Sequence, residues 1–245
     1  MPEIRFDDRI ARTYDADSAD RFAPEVLGPT VDLLAELADG RPALELAIGT
    51  GRVAVPLRQR GVEVHGIDVS PAMIERLRAK PGGAAIPVTI GDMATTRVPG
   101  RFGLVYLVFN TINNLTTQDE QVACFLTAAD HLEPGGCFLI EVVVPELRRL
   151  PPGDTARVFA LSPSYVAVEE FTDFTEAQIA WSHHYRAVDG RFEVFSAPYR
   201  HVWPSELDLM ARLAGLTRRS RWADWDRSPF TGESRSHVSV WTKPA

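Results

Sequence analysis

The stretch that most constrains the fold is an apolar segment, Ala43 to Gly51, that ends in two closely spaced glycines. Glycine has no Cβ, so the backbone at this turn can adopt positive φ and approach a ligand closely. Asp68 follows at the end of the next apolar segment, about 20 residues further on, where a carboxylate is placed to accept hydrogen bonds from a ribose diol. These features predict a nucleoside-binding crevice at the carboxyl ends of parallel strands.

Strand and helix signals alternate through the first part of the chain, which predicts a parallel sheet with right-handed crossovers. A helix is predicted first, over residues 24–37. The expected strands then cover residues 43–47, 62–67, 86–90, 104–109 and 137–144, and the helices among them cover residues 51–61, 70–77 and 118–132.

The pattern changes to a two-residue period between Tyr165 and Tyr199, where Asp189-Gly190 is a strong hairpin signal. We expect a small antiparallel element of about three strands there. A helix over residues 204–214 and two final strands, 216–222 and 236–242, would complete the main sheet.

The predicted fold class is α/β. It is a Rossmann-like, mostly parallel seven-stranded sheet with helices on both faces, an antiparallel last strand and an inserted antiparallel β lid. The predicted parts are an N-terminal and cofactor-binding core over residues 1–150, the lid over residues 151–203, and a C-terminal helix with the last strands over residues 204–245.

Composition limits the class of partner. The 245 residues suit one large domain, and the net charge of −7 argues against a nucleic-acid backbone as partner. Cys124 and Cys137 are predicted to be buried thiols in a reducing compartment. The first residues lack an apolar signal core, and no apolar run approaches the length needed to span a membrane. We therefore expect a cytoplasmic protein without a membrane partner, either a monomer or a homodimer.

Glu45 bears on which nucleoside is bound. Gly49 to Ala54 also fits the G-x-G-x-x-A form of the dinucleotide motif, which alone is a weak signal. A pyrophosphate requires amide donors at this turn, and a nearby carboxylate would repel it. A ligand with a sulfonium and an ammonium group would be attracted instead. This favours S-adenosylmethionine over NAD.

Four segments, taken in order, carry a family resemblance. They are Glu45-Leu-Ala-Ile-Gly-Thr-Gly51, Gly66-Ile-Asp-Val-Ser-Pro-Ala-Met73, Gly91-Asp-Met93 and Leu132-Glu-Pro-Gly-Gly136. With this spacing the chain resembles a class I S-adenosylmethionine-dependent methyltransferase of the small-molecule type. The predicted lid resembles that of sugar N-methyltransferases. One departure is Ala47, where many members of the family have glycine.

The resemblance implies specific cofactor contacts. Asp68 would bind the ribose hydroxyls, Val69 and Met73 would pack on the adenine, Asp92 would accept from the adenine amino group, and Tyr14 would cap the cofactor. The full implied set is Tyr14, Glu45, Ala47, Gly49, Gly51, Asp68, Val69, Met73, Asp92, Met93, Phe109 and Asn110.

The candidate catalytic residues are His184, His183 and Asn113. The methyl group of a sulfonium is already activated, so a general base is needed only where the nucleophile must lose a proton. Neighbouring strand residues point to opposite faces, so one of the two histidines must face away from the cavity. For the same reason they cannot chelate one ion together, and no metal is expected.

The sequence thus predicts an enzyme that moves a methyl group by in-line displacement to a nitrogen or oxygen of a small molecule, such as a natural-product or sugar intermediate. Other functions stay open at this point: an NAD-dependent oxidoreductase, a methyltransferase-like module that binds the cofactor without methyl transfer, or use of the cofactor in another reaction. The sequence does not identify the acceptor.

Overall fold

The computed structural model describes residues 6–147 and 150–245. These residues form eleven strands and six α-helices. The strands are β1 (Ala43–Leu46), β2 (Val64–Asp68), β3 (Val88–Ile90), β4 (Phe102–Leu107), β5 (Leu132–Val143), β6 (Ala156–Ser162), β7 (Tyr165–Phe171), β8 (Ile179–Val188), β9 (Arg191–Arg200), β10 (Thr217–Trp222) and β11 (Ser236–Thr242). The helices are α1 (Asp8–Asp17), α2 (Pro24–Ala38), α3 (Ala54–Gln59), α4 (Pro71–Arg78), α5 (Gln118–His131) and α6 (Pro204–Leu213).

Seven strands form the main sheet, in the order β10-β11-β5-β4-β1-β2-β3. Strands β1 to β5 pair in parallel, whereas β11 is antiparallel to both β5 and β10. Every residue of β1 and β4 is buried, as expected of strands covered on both faces. The predicted fold class is therefore confirmed, including the antiparallel last strand.

Apolar side chains pack in two clusters, and neighbouring residues of β5 alternate between them. Phe138 and Ile140 belong to one cluster, with Trp241, and Cys137 and Leu139 belong to the other. Because successive strand residues point to opposite faces, the clusters lie on the two sides of the sheet. Cys124 and Cys137 are free and buried, as predicted.

Local signals set the helix that follows β2. Ser70 is the N-cap of α4, where its hydroxyl accepts a hydrogen bond from the amide of Met73 at 3.2 Å, and Pro71 occupies the first helical position. This N-cap and proline agree with the sequence prediction. They begin the helix immediately after Asp68, so the carboxylate lies where strand, turn and helix meet.

Strands β6 to β9 form a separate four-stranded antiparallel sheet, which we call the lid sheet. The sequence predicted about three strands, and it missed β6. A register shift between Val158 and Ala160 interrupts the two-residue alternation along β6, so the pattern could not be recognised. The Asp189-Gly190 turn between β8 and β9 has φ of 49° and 75°, as its sequence predicted. The division of the chain at residues 151 and 203 stays a prediction.

A buried polar cluster joins the lid sheet to the main sheet. Arg200 at the end of β9 is 2% exposed. It donates to Gln121 of α5 at 2.6 Å, to Gln178 at 2.7 Å and to Glu206 of α6 at 2.9 Å. A buried guanidinium is tolerated because its donors are satisfied. The cluster therefore fixes the base of the lid sheet against two helices of the core.

Helix α1 lies across the glycine turn and is held there by polar contacts. The carboxylate of Asp15 accepts from the Thr50 hydroxyl at 2.6 Å and pairs with Lys80 at 2.6 Å. The Ser70 hydroxyl donates to the carbonyl of Phe6 at 2.5 Å. These contacts hold the N-terminal segment over the carboxyl ends of β1 and β2. In the part of the chain that the structure describes, no helix has the length and apolar character needed to cross a membrane.

Candidate active site

The main cavity has a volume of about 960 Å³ and lies where α1, the end of β4 and the lid sheet meet. Tyr14 contributes from α1, Asn113 from the segment after β4, and Tyr165, His184 and Phe195 from the lid sheet. This volume is in the range of small-molecule sites, and the wall formed by the lid sheet combines aromatic, aliphatic and polar side chains. The cavity can therefore hold an organic molecule against the lid.

A second cavity of about 40 Å³ lies at the glycine turn and is lined by Glu45, Ala47, Gly49 and Arg52 among others. Tyr14, Phe109 and Thr111 line both cavities, so they form the boundary between the two spaces. The structure thus places the turn that was predicted to bind a cofactor next to the space that can hold an acceptor.

Asp68 is tied to the glycine turn by its carboxylate. The amide of Gly49 donates to one carboxylate oxygen at 2.6 Å, and the amide of Ser70 donates to the other at 2.8 Å. Burial raises the pKa of Asp68, while the Ser70 and Gly49 amides act in the opposite direction. Each carboxylate oxygen has a further lone pair, so Asp68 keeps the capacity to accept from a diol.

The two glycines of the turn have different surroundings. Both have positive φ, 56° at Gly49 and 74° at Gly51. A Cβ at Gly49 would meet nothing closer than 3.8 Å, whereas a Cβ at Gly51 would lie 2.1 Å from the Leu77 side chain. Gly49 also lines the small cavity and Gly51 lines neither cavity. The structure therefore gives Gly51 a packing role against α4, and the cofactor contact expected from the sequence stays a prediction.

Glu45 is a carboxylate in the interior of the sheet. It is 4% exposed and accepts from the hydroxyl of Tyr106 at 2.9 Å. Burial raises its pKa to about 8, and the Tyr106 hydrogen bond and the nearby charge of Arg52 only partly oppose that shift. A buried carboxylate of this kind is stabilised in its charged form by a cationic partner. Its position in the small cavity fits a ligand with a positive charge.

Phe109 and Asn110 form a strained turn at the end of β4, with φ of 61° and 60°. The Phe109 amide donates to the carboxylate of Glu141 at 2.9 Å, and the Asn110 side-chain oxygen accepts from the Val143 amide at 2.7 Å. Left-handed backbone in non-glycine residues costs free energy and clusters at functional sites. Strand β5 thus holds this turn in place, and the Asn110 oxygen already has a partner within the protein.

The residues expected around an adenine are not brought to either cavity. Met73 is 4% exposed, and Met93 is 9% exposed and packs in the core. The Asp92 carboxylate accepts from the Ala94 amide at 2.7 Å. Val69, Met73, Asp92, Met93 and Asp68 line neither cavity, since Phe6 and α1 cover this side of the turn. The predicted adenine contacts therefore stay predictions.

The two histidines of β8 face opposite sides of the lid sheet. His184 lines the main cavity, with Nδ1 2.5 Å from the Tyr165 hydroxyl and Nε2 2.7 Å from the Ser182 hydroxyl. Burial lowers its pKa, with smaller contributions from His183 and Arg186, so the imidazole is neutral at pH 7. His183 instead contacts Ser196 and Glu170 on the other face and does not line the cavity. The structure does not bring His183 to the site, because adjacent strand residues alternate.

Asn113 lines the main cavity, but its side-chain oxygen is buried beneath the cavity surface. The residue is 5% exposed, and its side-chain oxygen has no hydrogen-bond partner among the described residues. Leaving a buried acceptor unpaired costs about 1–3 kcal/mol. A ligand N–H or O–H in the cavity would reach this oxygen only after the Asn113 side chain rotates toward the cavity.

Sequence reasoning assigned no cofactor or catalytic role to three residues of the two cavities. Arg52 follows the glycine turn directly and lies beside Glu45, a signal that was present in the sequence. Tyr165 reaches His184 only because β7 pairs with β8, with Ala167 opposite His184. Ser182 shares a face with His184 by its two-residue spacing, but its contact depends on the side-chain rotamers.

Comparisons with known proteins agree on one family. A family model described as a methyltransferase domain matches residues 43–136. The solved structure of the CcbJ methyltransferase from Streptomyces caelestis is 37% identical, has a TM-score of 0.86 and covers 98% of both chains. The cypemycin N-terminal methyltransferase of Streptomyces sp is 26% identical over 244 residues, 96% of each chain. The S-adenosylmethionine-bound structure of CalS10, an amino pentose methyltransferase from Micromonospora echinaspora, is 20% identical, with a TM-score of 0.70 and coverage of 94% and 96%. At that identity the last match supports the fold.

Proposed function

The chain belongs to the S-adenosylmethionine-dependent methyltransferases, and on that premise we propose that its acceptor is an amine nitrogen of a small molecule. The observation that carries the proposal is the main cavity, which the neutral imidazole of His184 lines together with Tyr165 and Ser182. An amine that is protonated in water must lose a proton before its nitrogen can attack a methyl group. His184 is placed to take that proton, and Asn113 could accept from a remaining N–H once its side chain turns toward the cavity that it lines.

The residues around the glycine turn fit the family's cofactor. Glu45 is a buried carboxyl group that forms no salt bridge within residues 6–147 and 150–245, and the cofactor brings a sulfonium and an ammonium group. Gly49 leaves space at the turn, and Asp68 keeps free lone pairs toward a ribose. Arg52 lines the same cavity and is suited to a ligand carboxylate. When bound, S-adenosylmethionine supplies a methyl group that is already activated for displacement.

The other side chains orient the acceptor and exclude water. The strained turn at Phe109 is held rigid by β5, so it can border the reacting atoms with little movement. Two guanidinium groups lie over the Phe109 ring and cover this side of the cavity. Their central carbons are 5.0 Å (Arg21, in the segment after α1) and 5.2 Å (Arg52) from the ring centroid. Helix α1 and the lid sheet cover the cavity from the remaining directions. Precise positioning of two reactants accounts for a large part of the rate in such reactions, up to ~7–11 kcal/mol.

The names of relatives support an amine acceptor. The cypemycin enzyme is named for a peptide N terminus, and CalS10 is described as an amino pentose methyltransferase. These names concern those proteins, and they motivate testing an amine on a peptide and on a sugar. NAD-dependent oxidation is not favoured, since a pyrophosphate beside Glu45 would bring no cation to stabilise its carboxylate.

The experiment is a matched acceptor panel. The protein is incubated with S-adenosylmethionine and one of three amines, Ala-Phe amide, Pro-Phe amide or 3-amino-3-deoxyglucose, and each reaction is analysed by mass spectrometry. The controls are lactyl-Phe amide and glucose, which carry hydroxyl groups in place of the amines. We expect a gain of one methyl group on at least one amine and none on the hydroxyl partners. Methylation of the hydroxyl compounds alone would contradict the proposal.

A further inference from the structure

The cavity-facing side of the lid sheet carries a chain of three polar groups around one imidazole. The Tyr165 hydroxyl lies 2.5 Å from Nδ1 of His184, and the Ser182 hydroxyl lies 2.7 Å from Nε2. All three side chains line the main cavity. Both ring nitrogens are therefore occupied by hydroxyl groups that an acceptor in the cavity can also reach.

A neutral imidazole has one donor nitrogen and one acceptor nitrogen, and its partners select which is which. A phenol is more acidic than an aliphatic hydroxyl, so Tyr165 is the better donor of the two. It donates to Nδ1, and Nε2–H then donates to the Ser182 oxygen. In this tautomer the basic nitrogen is Nδ1, and the path from the cavity to it passes through the Tyr165 oxygen.

Resting on the proposed amine methylation, we propose that Tyr165 relays a proton from a cationic aliphatic amine to Nδ1 of His184, while Ser182 holds Nε2–H. The substrate class is thereby narrowed to amines that are protonated in neutral water, such as alkylamines, peptide N termini and amino sugars.

The step balances in protons and electron pairs. One N–H bond of the ammonium breaks as its proton bonds to the Tyr165 oxygen, and the original hydroxyl proton of Tyr165 moves to Nδ1. Tyrosine ends neutral, His184 ends as imidazolium, and the amine is left with the free lone pair that methyl transfer requires. Ser182 keeps its proton throughout and accepts from Nε2–H in both states, which makes it a positioning residue.

The surroundings of His184 favour its neutral form before the amine arrives. Burial lowers its pKa first, followed by the charges of His183 and Arg186. Arg186 is itself paired with Asp17 of α1 at 2.6 Å. The remaining ring contacts are apolar or aromatic, from Phe159 and Phe195. Tyr165 of β7 and Arg186 of β8 lie on the imidazole's own side of the sheet, and His183 of β8 acts from the opposite face. Asp17 of α1 and Glu193 of β9 act on Arg186.

The first test is nuclear magnetic resonance of the free protein with ¹⁵N-labelled histidine, where two-bond ¹⁵N–¹H correlations report the tautomer. The His184 signal is assigned with the variant His184→Gln. We expect the Nε2–H tautomer and a titration midpoint below 6.5. In Tyr165→Phe the midpoint should fall by about half a pH unit or more, since the imidazolium loses its acceptor at Nδ1 and a charge-assisted hydrogen bond is stronger than the neutral one. The Nδ1–H tautomer, or an unchanged midpoint in Tyr165→Phe, would overturn the inference.

The matched control is Tyr185→Phe, because Tyr185 lies on the same strand as His184 but does not line the cavity. It should leave the His184 tautomer and midpoint unchanged. A midpoint shift of the same size in Tyr185→Phe would mean that any tyrosine loss on the lid disturbs His184, which would also overturn the relay.

The second test is the pH dependence of turnover with the three amines of the function panel. Near pH 7 Tyr165→Phe should be about a hundredfold slower than the native protein, and this ratio should fall toward one by pH 10 as the amine loses its proton in solution. A ratio that does not change with pH would assign Tyr165 a structural role and overturn the relay. If the native protein methylates none of the panel, the proposed function fails, and the tautomer measurement still decides the arrangement around His184.

Discussion

The carboxylate of Glu45 accepts a hydrogen bond from the hydroxyl of Tyr106 at 2.9 Å, across the neighbouring strands β1 and β4. Tyr106 is fully buried and Glu45 is 4% exposed. Neutral hydrogen bonds, from the Tyr106 hydroxyl and the Ala54 amide, compensate only part of the cost of burying a carboxylate. The interior of the sheet therefore holds an acidic group whose charged form needs a further partner, at the turn where a cationic cofactor would bind.

This relationship predicts proton release when the cofactor binds. Burial raises the pKa of Glu45 to about 8, so the free protein holds the proton at pH 7. A sulfonium and an ammonium group favour the carboxylate, so binding lowers that pKa and releases close to one proton. Calorimetric titration at pH 7 in phosphate and in Tris should give enthalpies that differ by the ionisation enthalpy of the buffers.

The variant Glu45→Gln should bind S-adenosylmethionine at least about tenfold more weakly and release no proton, since one pKa unit corresponds to a tenfold change. Glu63→Gln is the control, because Glu63 is 63% exposed and should change neither value. An equal proton count in the native protein and Glu45→Gln would remove Glu45 from the cofactor site.

The same pKa shift has a consequence for stability. Because the folded-state pKa of Glu45 is raised above the unfolded value, its contribution to stability is fully present below about pH 4.5 and is lost as the pH rises through 8. Glu45→Gln should thus gain thermal stability relative to the native protein between pH 6 and pH 9. The melting temperatures of both proteins are measured over this range, and the difference between them should increase with pH. A difference that does not change with pH would contradict the prediction.

The two glycines of the turn should respond differently to alanine. At Gly51 a Cβ would lie 2.1 Å from Leu77 at a φ of 74°, so Gly51→Ala should destabilise the fold by about 1–3 kcal/mol or more. At Gly49 there is room for a Cβ, although its φ of 56° still carries strain. In urea unfolding, the free energy of unfolding of Gly51→Ala should be lower than that of Gly49→Ala. The opposite order would mean that α4 moves away from the turn without cost.

Arg200 should be required for the contact that holds the lid sheet against the helices of the core. Replacing it with methionine keeps the volume but leaves Gln121, Gln178 and Glu206 without their shared donor. Loss of one member of a buried ion pair costs about 3–5 kcal/mol. Urea unfolding of Arg200→Met should show a loss of this size.

The control for that measurement is Arg218→Ala. Arg218 is 50% exposed and pairs with Asp208 at 2.7 Å, and an exposed pair contributes about 1 kcal/mol at most. If the two variants lost similar amounts of unfolding free energy, the cluster around Arg200 would be open to solvent rather than buried.

The two adjacent histidines should differ in activity. His184→Ala should lower the methylation rate of an amine about a hundredfold near pH 7, and less at pH 10, because the removed base is needed only while the amine is protonated. His183→Ala should stay within about twofold, since its side chain lies on the other face of the lid sheet. The measurement is the initial rate of amine methylation between pH 6 and pH 10. Equal rates for the two variants would mean that His184 has only a structural role.

Much of the core architecture could be predicted because it depends on local patterns. The apolar run of β4, the Ser70 cap with Pro71 and the Asp189-Gly190 turn each act within a few residues, and each appears in the structure as predicted. Strand β6 was missed because a register shift hides its alternation, and that shift exists only against its partner β7.

The sequence by itself determined the alternation of strands and helices in the core, the position of the glycine turn and its acidic partners, and the fact that only one of His183 and His184 can face a cavity. These follow from chain periodicity and backbone chirality. Which histidine faces inward depends on how the lid sheet packs. Likewise, the contact of Tyr165 with His184 and the unpaired oxygen of Asn113 arise between segments that are distant in sequence. Such contacts depend on tertiary packing, because a side chain's pKa and hydrogen-bond partners are set by the atoms that surround it in space.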